Sequence, residues 1–85
     1  MSTTTLQNRI FWQSRRGMLE LDLLLVPFAR TGFSTLTPQQ QALYAEFLRN
    51  EDQDLYAWLM LRSPPPDPRY SDLVQRILEN PKIPD

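Results

Sequence analysis

Only two glycines, Gly17 and Gly32, occur among the 85 residues. A β-rich domain needs many tight turns, and glycine takes their left-handed backbone at least cost. Helices are therefore the cheaper architecture. A chain of this length forms one domain and buries roughly 60–65% of its unfolded surface, so its core is thin. Hydrophobic residues make up 41% of the chain, with two Trp, three Tyr and four Phe, enough for one small core and too many for a disordered segment. The expected fold class is all-α: a compact five-helix bundle in a single domain over residues 6–80, with a flexible N-terminus at 1–5 and a flexible tail at 81–85.

The pattern of caps and apolar positions places the helices. Thr5 is a fitting N-cap for a first helix over residues 6–16, with Arg15 and Arg16 in its last turn and Gly17 at the left-handed stop. Residues 18–26 are ambiguous, because Leu19, Leu21 and Leu23 alternate with Glu20 and Asp22 as a strand would. A lone strand has no partner here, so the segment is read as a helix that is apolar nearly all round, central and most buried, ended or kinked by Pro27. Residues 31–36 read as a loop. Thr37, Pro38 and Gln40 form a capping box for the third helix, in which Leu43 pairs with Phe47 and Tyr44 with Leu48. The acidic junction at 50–54 starts a fourth helix that buries Leu55, Trp58 and Leu59 and stops before Ser63 and the Pro64-Pro65-Pro66 run. Asp67 and Pro68 open a fifth with an apolar face of Tyr70, Leu73, Val74, Ile77 and Leu78, closed by Pro81.

Composition removes several function classes. The chain has no cysteine and no histidine, which takes away thiol and imidazole chemistry, disulfides and nearly every zinc site. A net charge of −1 does not suit a nucleic-acid or anionic-membrane binder. The longest apolar run, residues 23–29, is too short to span a bilayer. Residues 1–8 lack the pattern of a signal or transit peptide, and the expected location is the bacterial cytoplasm. Glu20 and Asp22 point apart on a helix and do not make a proton-sharing dyad. Glu51, Asp52 and Asp54 lack the glycine turn of a calcium loop and read as a helix start favoured by its dipole. No catalytic or metal-binding residue is assigned, and the chain is expected to act by binding another protein, as a monomer when free.

The segment from Arg15 through Arg16, Gly17 and Met18 to Glu20 carries two readings. Each piece has a sufficient local cause: basic residues end a helix, glycine caps it, and an acid begins the next. The same residues also form a bare backbone corner flanked by a guanidinium and a carboxylate, which lets a partner's backbone approach closely. Arg9, Trp12 and Arg16 fall on one side of the first helix, and Arg and Trp are enriched at binding hot spots, although Trp12 serves equally well as core.

Taken in order, Arg9-Ile10-x-Trp12-x-x-Arg15-Arg16-Gly17-Met18-x-Glu20-Leu21-Asp22 resembles the signature of the FAD assembly factor SdhE family, whose mitochondrial members are succinate dehydrogenase assembly factors. The family's RGxxE motif maps onto Arg16, Gly17 and Glu20. A second block, Asp52-x-Asp54-Leu55-x-x-Trp58-Leu59-Met60, also matches. The resemblance implies a five-helix bundle that binds the flavoprotein subunit of succinate dehydrogenase or fumarate reductase. It would promote covalent FAD attachment there as a dedicated chaperone, with no tightly bound cofactor of its own. It implies a partner-binding surface of Arg16, Gly17 and Glu20, joined by Arg9, Trp12, Arg15 and Asp22. Arg16 would pair with a partner carboxylate or carbonyls, and Glu20 would accept hydrogen bonds or fix Arg16. Family members also carry an antitoxin assignment, and a generic helical adaptor is the third reading.

Overall fold

The computed structural model describes the backbone of residues 2–81 and side chains from residue 8 onward. Among the described residues there are five α-helices and no strand: α1 (Ser2–Ser14), α2 (Leu19–Pro27), α3 (Pro38–Phe47), α4 (Asp52–Leu59) and α5 (Pro68–Glu79). The all-α bundle expected from the sequence is the fold observed. Of the expected tails, Met1 and residues 82–85 lie outside the described residues, while residues 2–5 are helical backbone.

The first helix differs from expectation at both ends. It begins at Ser2, so Thr5 lies inside it, and it stops at Ser14, which leaves Arg15 and Arg16 beyond its last turn. Ser14, the last residue of α1, is held by its side chain. Its hydroxyl donates to the Ile10 carbonyl at 2.8 Å and, fully buried, lies 2.7 Å from the Tyr44 hydroxyl, whose proton bridges the pair. The helix end is thus tied to α3.

The second helix is not buried all round. Leu21 and Leu25 reach the core, four residues apart, and Phe28 continues that face. Leu19 and Leu23 lie on the opposite side and remain 68% and 58% exposed. Pro27 does not end the helical path either. It holds αR backbone (φ −60°, ψ −38°), and the chain widens after it into a π turn, Phe28–Gly32, then a 3₁₀ turn, Phe33–Thr35. The expected loop at 31–36 is therefore largely helical. Buried Phe28, Ala29, Phe33 and Leu36 anchor it, and the Thr31 and Thr35 hydroxyls donate to the carbonyls of Pro27 and Gly32. A Cβ on Gly32 would lie 2.5 Å from the Phe28 ring, so this glycine serves close packing.

The remaining elements follow their sequence signals. The capping box of α3 is complete: Thr37 Oγ1 accepts from the Gln40 amide at 3.2 Å, and Gln40 Oε1 accepts from the Thr37 amide at 2.9 Å. Asp67 accepts from the Arg69 amide at the start of α5. Tyr44, Phe47, Leu48, Leu55, Trp58, Leu59, Tyr70, Leu73, Val74 and Ile77 are buried, with Leu43 and Leu78 half-buried beside them. Helix α4 closes with a left-handed residue that is not glycine. Leu61 (φ 58°) donates to the Trp58 carbonyl and Arg62 to that of Ala57, a Schellman arrangement.

Two aromatic groups fill the interior. Tyr44 sits 5.1 Å from Phe28 and 5.8 Å from Phe33, while Phe47, Trp58 and Tyr70 form a second cluster with centroids 5.2–5.9 Å apart. Tyr70 also donates to Glu46 at 3.0 Å, joining α5 to α3.

Burial pushes the Tyr44 phenol well above its ordinary value of 10. The unfolded chain therefore releases this proton at lower pH than the folded one, and stability from a neutral Tyr44, present below about pH 10, is lost as pH rises past it. Comparing urea midpoints at about pH 9 and pH 11, we expect the parent to lose about 1 kcal/mol more than Tyr44→Phe. Equal losses would show that Tyr44 ionises without unfolding.

Candidate functional site

The corner between α1 and α2 is built by three backbone events. Arg15 N–H reaches the Trp12 carbonyl at 3.2 Å in a turn that extends the end of α1. Gly17 then takes φ +83°, the left-handed conformation anticipated for it. Met18, in extended backbone, starts α2 without a side-chain cap. Asp22, one turn into α2, reaches back so that its Oδ1 accepts the Arg16 amide at 2.8 Å. That bond closes the corner and engages one carboxylate oxygen of the half-buried Asp22.

Arg16 turns inward, contrary to the outward head expected from the sequence. Its side chain is only 18% exposed. Nε donates to Asp52 Oδ1 at 2.8 Å, Nη1 to the carbonyls of Gln13 and Leu48 at 2.9 Å each, and Nη2 to that of Asn50 at 3.2 Å. The physical reason is local. The last carbonyls of α1 and α3 lack helical donors, and Asp52 stands in the first turn of α4. A planar guanidinium with five N–H groups meets all three elements at once. Fixing Arg16 therefore falls to Asp52, and the acidic junction expected to be only a helix start also holds a cation.

The residues that do face outward are Arg9, Trp12, Arg15, Gly17 and Glu20. Trp12 is 64% exposed, which resolves its ambiguity between core and surface. The Arg15 guanidinium lies 5.5 Å from the Trp12 ring centroid, and Phe11 meets the same ring edge-on at 5.6 Å. Nothing lies within 4 Å of a Cβ built on Gly17, so the backbone there is open to solvent. Beside the corner runs an open groove lined by Phe11, Arg15, Asp22, Leu23, Val26 and Arg30.

Sequence reading missed Leu19 and Leu23, assigned to a buried helix, and Phe11, Val26 and Arg30 in the groove. The signal for Leu19, Leu23 and Val26 was present in the leucine excess of α2: a helix apolar on all sides in so small a chain leaves one face uncovered. Leu55, Trp58 and Leu59 of the second block are core, as their spacing implies. Among the described residues, no group of three or more carboxylates could hold a metal ion, and no helix is long and apolar enough to cross a membrane.

Residues 8–81 match a family model described as flavinator of succinate dehydrogenase. The chain is 49% identical over 72 residues to the FAD assembly factor SdhE of Pseudomonas putida, covering 85% of this chain and 86% of that one. Against the protein of the same name from Pseudomonas aeruginosa it is 43% identical over 79 residues, covering 93% and 94%. With that of Vibrio cholerae it shares 43% over 60 residues, covering 71% and 70%.

The open space above Gly17 has a direct consequence. In Gly17→Arg the added Cβ meets no neighbour, and the backbone strain of a positive φ costs about 1–2 kcal/mol. By circular dichroism, helicity should stay as in the parent while Tm falls by about 5–15 °C. Collapse of the helical signal would instead make this glycine essential to the fold.

Proposed function

The chain belongs to the family of succinate dehydrogenase flavinators, and from that premise we propose that it binds the flavoprotein subunit of succinate dehydrogenase or fumarate reductase and promotes covalent attachment of FAD to it. It works in the bacterial cytoplasm as a monomer when free, holds no cofactor of its own and performs no bond-making step. The bond forms within the flavoprotein, and this chain supplies orientation: by holding parts of the partner together it brings the reacting atoms within reach.

The observation that carries this reading is the exposed surface at the α1–α2 corner. Monomeric proteins seldom leave large apolar side chains grouped in solvent, and here exposed Leu23 lines the groove with half-buried Phe11 and Val26, exposed Trp12 packs edge-on against Phe11, and Leu19 is exposed one turn before Leu23. Trp12 under the Arg15 cation offers a rigid aromatic anchor with a charged head, the combination enriched at binding hot spots. Gly17 lets a partner's backbone lie against the corner without a side chain between. Arg9 and Glu20 extend the surface with charges of opposite sign, suited to setting orientation more than affinity. Asp22 and Arg16 support this surface from beneath.

The deciding experiment is flavin fluorescence of the succinate dehydrogenase flavoprotein on a denaturing gel, from cells with and without this chain and lacking a second flavinylation route. Covalent flavin should fall several-fold in its absence. Unchanged covalent flavin would overturn the proposal. Trp12→Ala should weaken binding to the flavoprotein about tenfold or more at unaltered helicity, since this ring contributes little to the core. Gly17→Arg, which fills the open backbone corner, should abolish it.

A further inference from the structure

The exposed surface just described is held in shape by a contact that lies underneath it and reaches across the fold. Arg16 is the point where the two motif blocks meet: its guanidinium belongs to the first, and Asp52, 36 residues later, to the second. Around that ion pair the same cation gathers the carbonyl of Gln13 at the end of α1, that of Leu48 at the end of α3 and that of Asn50 in the α3–α4 turn. The Arg16 amide is held in turn by Asp22 of α2. Four helices thus converge on one residue, whose chain neighbours are Arg15 on the Trp12 ring and Gly17 at the open backbone.

We propose that Asp52 is a positioning residue for partner docking, acting through Arg16, and that the arginine of the RGxxE motif is an internal strut with no contact to the partner. This rests on the docking reading of the preceding section. With all of its N–H directions but one turned to acceptors of its own chain, the guanidinium has little left to offer a partner's carboxylate. Releasing it would require opening the α3–α4 junction. The strut instead holds residues 15–17 in the one path that stacks Arg15 on Trp12 and leaves Gly17 bare, so the docking surface exists before the partner arrives and less ordering cost falls on binding.

The paired substitutions Asp52→Asn and Asp52→Ala test this. Both remove the carboxylate charge that favours the start of α4, so any loss through the helix dipole is common to them. Asn keeps an Oδ1 acceptor for Arg16 Nε, and Ala does not. In titrations with the flavoprotein subunit, Asp52→Ala should bind about tenfold more weakly than the parent, and Asp52→Asn within about threefold of it. The double variant Arg16→Ala/Asp52→Ala should be no weaker than Arg16→Ala alone, because the two side chains act as one unit. On the free chain, exchange of the Arg16 amide, held by Asp22, should rise about tenfold in Asp52→Ala and stay near the parent rate in Asp52→Asn. Parent-like binding and exchange by Asp52→Ala, with Arg16→Ala binding lost, would overturn the strut and make Arg16 a direct contact. A parent chain that fails to bind the flavoprotein overturns the docking reading itself, a result distinct from one confined to the variants.

Discussion

Burying a guanidinium is unfavourable unless its donors are met, and the corner of this fold is arranged around meeting them. Arg16 has one carboxylate and three carbonyls within 3.2 Å, and the carbonyls come from positions where helices and turns leave acceptors without partners. Each side satisfies the other's need. The cation also sits where the negative ends of α1 and α3 approach each other, so their dipoles and the Asp52 charge act in the same direction. Hydrogen bonds to a charged group contribute about 1.5–3 kcal/mol each where water is excluded and less at the partial exposure found here. Several of them on one side chain are enough to decide which way the chain leaves α1.

Once Arg16 is drawn in, the neighbouring residues have few choices. The backbone must reverse at position 17, where glycine takes the left-handed conformation without penalty, and Arg15 is left on the outside against Trp12. Two residues earlier, Ser14 is sealed in the interior by Tyr44, so the end of α1 is secured by polar bonds on both sides of the turn. Apolar packing alone would fix this end less sharply, since it lacks direction. The Ser14–Tyr44 pair and the Arg16 cluster specify angle and register, while Ile10, Leu21, Leu25 and Phe28 supply the buried area.

The exposed leucines of α2 follow from size. A helix carrying Leu or Val at six of its nine positions has more apolar surface than four short neighbours can cover, and the bundle uses only the Leu21–Leu25 side. A chain selected for solubility alone would place polar residues at 19 and 23. Their exposure, with Leu23 in the groove beside Phe11 and Arg15, is the physical basis for reading this face as one that another protein covers.

Much of the fold was legible in the sequence because its signals are local. The capping box at Thr37, the aspartate–proline start at Asp67, the left-handed turn at Gly17 and the apolar faces of α4 and α5 each depend on residues within a turn or two of one another. Motif spacing likewise singled out the corner as the region of interest, and the family likeness of both blocks was visible before any coordinates. Which side chains at that corner face outward was decided only by tertiary structure. Arg16 points in because α3 and α4 deliver their carbonyls and Asp52 to the same place, a coincidence of elements more than thirty residues away that no local pattern encodes. The passage of the chain through Pro27 into a π turn has the same origin: burial of Phe28 and Phe33 against Tyr44 outweighs the break that proline usually makes. Sequence determined where α3, α4 and α5 begin and what chemistry the helices carry. Packing decided which of their faces is used up inside and which is left for a partner, because burial is a property of the assembled neighbours and not of the helix itself.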